Sequence, residues 1–188
     1  MKIAYFVIFS NRMVKQPIFN KLELLDAETE MLYRMADGLS EEDLHDHSYG
    51  WSIIQVFSHL NMAESGSVRY MKKKMQAGDE IPQISFLGKF RFLLTKGLLQ
   101  SSLRWKAPKV VSQPKGDLSL KEMQEVWAET RKATKQYVET YPEHLLNKAV
   151  YKHPFAGRMD LAGAIGSFIY HQRHHMHQIR RIRKKIGR

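Results

Sequence analysis

The chain has no cysteine among its 188 residues. That excludes disulfides, thiolate zinc sites and a cysteine nucleophile, so any bound metal must rest on histidine, carboxylate or water. A reducing, cytoplasmic compartment suits such a composition. Long hydrophobic runs are also missing. Ile3-Ala-Tyr-Phe-Val-Ile-Phe9 is apolar but far too short to span a bilayer, and Ser10-Asn-Arg-Met-Val-Lys15 follows it without a small-residue cleavage pattern. No transmembrane segment is therefore expected. Strand-like alternation is scarce as well, confined to those first residues, whereas helical periodicity dominates the rest.

Acidic charge is the minority, with 19 Asp and Glu against 30 Lys and Arg, for a net charge of +11. The imbalance is unevenly spread. Residues 20–46 hold nine acids against Lys21 and Arg34, net −7, so the remainder carries +18. That polarity suits self-association, an anionic small substrate or non-specific phosphate binding, and charge alone does not choose among them. With 43% hydrophobic and 26% charged residues, a single soluble domain is the expectation.

Four main helices are expected. The first runs from about Phe19 to Ala36, with Leu22, Leu25, Met31 or Leu32, and Met35 as its apolar stripe, closed by Asp37-Gly38. Leu39 to Asp43 reads as a short capped turn. The second helix runs from Trp51 to about Gln76, with Val56, His59, Leu60, Ala63, Ser67, Tyr70 and Met71 on one face. Ser119-Leu-Lys-Glu122 is a capping box that opens the third, which ends near Tyr141-Pro142, with Met123, Val126, Trp127, Thr130 and Tyr137 spaced for packing. Asp160 caps the fourth, which runs to about Lys185.

The fold class is accordingly all-α, an antiparallel four-helix bundle with a helical insertion between the second and third main helices. Residues 1–17 read as an N-terminal extension, strand-like or without fixed structure, because the helical pattern begins after Pro17. Residues 18–188 form one domain, interrupted by a basic, apolar insertion at 84–115 and ending in a basic tail at 180–188.

The chemistry concentrates in His171-Gln-Arg-His-His175-Met-His-Gln178 and in the lone His59. At about 100° per residue, His171 and His175 lie on one helix face one turn apart, so both imidazoles can reach one ion. His59 opposite them would complete three neutral ligands and leave a divalent cation with an open position, as catalytic rather than structural sites do. His174 is a supporting or alternate candidate, His177 a solvated one, and Gln178 lies where its amide can orient a ligand. His144 and His153 read as structural or surface residues. No partnered carboxylate for general-base work emerges: Glu64 is about 140° around its helix from His59, and Glu125 and Glu129 stay unranked.

With Gly50-Trp51-Ser-Ile, His59-Leu60, His153-Pro154-Phe-Ala-Gly157-Arg-Met159 and His171-x-x-x-His175-x-x-Gln178-Ile179, the chain resembles the DinB-like (DNA-damage-inducible) superfamily over about residues 18–185. The resemblance implies a four-helix bundle, often homodimeric, with a nickel- or zinc-type divalent site. Carried over position by position, its ligands are His59, His171 and His175. Characterised relatives are metal-dependent thiol transferases or hydrolase-like enzymes that act on low-molecular-weight thiols such as bacillithiol or mycothiol.

The leading expectation is thus a metal-dependent enzyme that acts on a small molecule, such as a low-molecular-weight thiol, by thiol transfer or hydrolysis. Its rivals are a non-catalytic metal- or ligand-binding bundle and a nucleic-acid binder using Lys72-Lys-Lys74 and the tail Arg180 to Arg188.

Overall fold

The computed structural model describes residues 2–85, Phe90 and 114–187, with side chains from Met13 onward. Its elements are α1 (Lys2–Arg34), α2 (Glu41–His45), α3 (Ile53–Met75), α4 (Leu120–Thr140), the strands β1 (Tyr151–His153) and β2 (Gly157–Met159), and α5 (Leu161–Lys185). Short 3-10 turns at Gly78–Glu80 and Glu143–Leu145 follow α3 and α4.

Local hydrogen bonding sets the helix starts. Ser40 with Asp43, Ser52 with Gln55 and Ser119 with Glu122 each form a reciprocal capping box, which satisfies two otherwise orphaned donors per helix. Asp160 caps α5 by accepting from the Gly163 amide at 2.7 Å. Gly38, at φ +74°, makes the turn that follows α1.

Two expectations need correction. The first helix does not begin after Pro17: α1 starts at Lys2 and passes through the proline. Its anchors straddle that residue, with the buried Lys15 ammonium donating to the Glu139 carbonyl at 2.7 Å and Ile18 in the core. Interior proline costs a helix roughly 3 kcal/mol, and tertiary contacts on both sides offset it. The second concerns the connection before α5, where β1 and β2 form a hairpin in the register Tyr151↔Met159 to His153↔Gly157. It is too short for its alternation to stand out in sequence. The helix expected over 84–105 lies almost wholly outside the described residues.

The bundle is formed by α1, α3, α4 and α5. Lys21 reaches the Ala162 carbonyl, Arg173 pairs with Glu28 and Arg183 reaches the Met35 carbonyl, so α1 and α5 run parallel. By the same logic α3 and α4 run parallel: Gly116 abuts Gln55, Arg131 meets Glu64 and Lys72 lies over the Tyr137 ring. The long connection from α3 to α4 returns the chain to the end where α3 began, which a tight turn cannot do. At its close, a Cβ on Gly116 would come 2.8 Å from Gln55 Cγ, so glycine permits the approach.

The core is in two apolar halves. One gathers Ile18, Leu22, Leu25, Val68, Met71, Tyr137, Leu161, Ile165 and Ile169, the other Leu32, Ile53, Ile54, Phe57, Leu60, Met123, Trp127, Met176, Ile179 and Ile182. Leu32, not the exposed Met31, takes the inward position on α1, while Tyr70 and Val126, expected on packed faces, are exposed. Between the halves each helix contributes polar groups at one level. Glu64 accepts from Arg131 Nε at 2.9 Å and Nη2 at 3.0 Å, from Thr134 at 2.9 Å and from Trp127 Nε1 at 3.2 Å. Arg131 also pairs with Asp26 and donates to Thr29, which exchanges hydrogen bonds with Gln172.

Removing one partner of a buried ion pair strands the other charge, which costs about 3–5 kcal/mol. We expect Arg131→Met to lose that much in urea unfolding, and Glu64→Leu/Arg131→Met to recover most of it. A single variant within about 1 kcal/mol of wild type would show that the pair is dispensable.

Candidate metal centre

At the level of this polar layer, α3 and α5 bring three histidines together. Each register follows from the helix that carries it: the Ser52 cap starts α3 so that His59 falls among its buried residues, and the Asp160 cap does the same for His175 on α5. His171 lies one turn before His175 and is half-buried, so the cluster meets solvent on its side. One ligand nitrogen from each of His59, His171 and His175 lies within 4.8 Å of the others. His171 Nε2 is 3.2 Å from His59 Nε2 and 3.1 Å from His175 Nε2. The rings stand at steep mutual angles with centroids 4.7–5.0 Å apart.

That geometry fits a cation. Two nitrogens each about 2.0–2.1 Å from a tetrahedral ion lie about 3.3 Å apart, close to the two separations that His171 Nε2 makes here. Protonation supplies the second test. His175 Nδ1 is 2.8 Å from Gln178 Oε1, an acceptor only, so Nδ1 carries the proton and Nε2 turns a lone pair toward the other two rings. A proton on His171 Nε2 serves one neighbour at a time, whereas a cation satisfies all three lone pairs. Burial first, then the charge of the neighbouring imidazoles, pushes His171 and His175 well below the ordinary histidine value, which keeps both rings neutral.

Trp51 packs its ring 4.9 Å from that of His59 and covers it. Gln178, flagged by its position in the sequence, orients His175. His174 is buried with its ring 5.2 Å from His175, but it stays outside the trio. His177 is half-buried and does not join it. Glu64 faces away from the trio into its own network, and Glu125 and Glu129 are exposed on α4. His153, read from sequence as structural or surface, is set in the hairpin near enough to His171 for their charges to interact. The quoted His153-Pro154-Phe-Ala-Gly157 turn was its only sequence signal.

The profile of the DinB superfamily matches residues 24–179. The chain belongs to the DinB superfamily. No curated protein and no solved structure matches this DinB-superfamily chain.

Histidines buried neutral make the metal-free protein sensitive to acid. Below 6.5 the unfolded chain takes up protons that the folded state refuses, His153 among them with its value pushed down to about 4, so stability falls as pH drops through that window. Denaturant titration of metal-free protein should show a loss of about 2 kcal/mol or more between pH 7.5 and 5. A flat profile would contradict neutral burial.

Proposed function

We propose that this protein is a metal-dependent enzyme whose divalent ion, zinc or nickel, is held by His59, His171 and His175, and that it acts on a small molecule by thiol transfer or hydrolysis. The observation that carries this reading is that His171 Nε2 stands 3.2 Å from His59 Nε2 and 3.1 Å from His175 Nε2, with ligand nitrogens of all three within 4.8 Å and the His175 tautomer set by Gln178. An all-nitrogen donor set suits zinc and nickel better than magnesium or calcium, which prefer oxygen. A divalent cation so held supplies Lewis acidity, which lets a water molecule or a thiol ionise near neutral pH.

The residues around the trio have definable tasks. Gln178 holds the His175 ring in one orientation, Trp51 shields His59 from water, and the half-buried side of His171 leaves an approach for a small substrate. Family membership supports a low-molecular-weight thiol as the substrate class. A homodimer is the proposed assembly, supported by α1, which leaves Met13, Leu24 and Met31 at 68%, 42% and 46% exposure along one side.

Nucleic-acid binding has less support. Lys72-Lys73-Lys74 closes α3 and Arg183-Lys184-Lys185 closes α5. The two helices run antiparallel, since His59 faces His171 while Ser67, further along α3, meets Tyr151, whose ring lies 6.4 Å from that of Phe168, earlier on α5. The two basic clusters therefore sit at opposite ends and make no continuous track. No helix among the described residues is long and apolar enough to cross a membrane.

Elemental mass spectrometry of protein purified without chelator tests the reading. We expect about one zinc or nickel per chain in wild type and none in a folded His59→Ala/His171→Ala/His175→Ala variant, followed by turnover in a panel of thiol-transfer and hydrolytic substrates. A wild type that stays metal-free after reconstitution would refute it, and metal without turnover would favour a non-catalytic metal-binding bundle.

A further inference from the structure

His153 is the last residue of β1, and the chain turns sharply after it. In that turn the Phe155 and Ala156 amides both donate to His153 Nδ1, at 3.2 and 3.1 Å. A ring nitrogen that accepts two N–H groups carries no proton, so the proton of the neutral ring sits on Nε2. Among the described residues no protein group accepts from that Nε2–H. The ring is half-buried rather than sealed, so the donor is open to a ligand.

The hairpin also sits beside the histidine trio. The Tyr151 hydroxyl lies 2.9 Å from Ser67 Oγ on α3, and its ring is 6.4 Å from Phe168 on α5 and 6.2 Å from His153. Ser67 is about two turns beyond His59, and Phe168 about one turn before His171. The hairpin thus crosses the α3/α5 seam just past the trio, and His153 lies close enough for its charge to act on His171.

We propose that His153 is a substrate-binding residue, whose fixed Nε2–H donates a hydrogen bond to an anionic group, a carboxylate or thiolate, of a small molecule seated at the histidine trio. This rests on the metal-site reading above. Burial pushes the His153 imidazole down to about 4, so the ring serves as a neutral donor and not as a proton source. Its contribution is placement: the two backbone amides hold the ring, and the ring presents one donor in one direction.

Cobalt(II)-loaded protein titrated with azide, followed by visible absorption, tests the assignment. His153→Asn keeps an acceptor for the two turn amides but lacks the distal donor, while His153→Gln restores an N–H near the Nε2 position. Wild type and both variants should take up cobalt equally. Azide should bind about tenfold more weakly to His153→Asn, and His153→Gln should regain much of the loss. Nitrogen-15 NMR of the metal-free protein should show His153 protonated at Nε2. Unchanged azide affinity in cobalt-loaded His153→Asn, or a proton on Nδ1, overturns the proposal alone, whereas a wild type that binds no cobalt overturns the metal reading beneath it.

Discussion

The buried pairing of Glu64 with Arg131 organises this bundle. Both side chains are almost wholly withdrawn from water, and their charge is tolerable only because nearly every donor and acceptor is engaged. Through Asp26 and Thr29 the arginine fastens α4 to α1, through Glu64 to α3, and through Thr29 and Gln172 the chain of bonds reaches α5. One arginine therefore touches the register of the whole bundle. An apolar layer at that level would tolerate sliding by a turn, whereas this one admits a single alignment without stranding a charge.

The histidine trio inherits that alignment. Gln172 lies next to His171, so the contact that joins α5 to the polar layer also sets the height at which His171 and His175 face His59. The trio then has its own demand, because His171 Nε2 stands 3.1–3.2 Å from the Nε2 of each neighbour and a proton there can serve only one of them. Burial favours the neutral form, and neutrality favours a cation between the rings. The polar middle of this protein thus has two parts, an ion pair satisfied from within the chain and a histidine cluster suited to satisfaction from outside.

The acidic segment meets basic partners at a few points in the fold. The acids of α1 that face inward meet basic partners, as Asp26 meets Lys135 and Arg131, and Glu28 meets Arg173. Glu23, Glu30, Asp37, Glu41 and Glu42 of the same acidic segment stay exposed, so most of its charge faces solvent. Lys72, Lys73 and Lys74 close α3, and Arg183, Lys184 and Lys185 close α5, where cations complement the helix dipole.

What the sequence determined is what acts over three or four residues. The capping signals at Ser119 and Asp160 placed the starts of α4 and α5, because a cap is a bond between near neighbours. The nearness of His171 to His175, and of Gln178 to His175, followed from the helical repeat in the same way. The partnership of His59 with His171 spans 112 residues, and the motif resemblance anticipated it where periodicity could not. Only tertiary structure decided the parallel sense of α1 and α5, the choice of Leu32 over Met31, the passage of α1 through Pro17, the ion pair of Glu64 with Arg131, and the turn whose amides hold His153. Those depend on which faces meet, and a helix pattern states which residues share a face without stating what lies across from it.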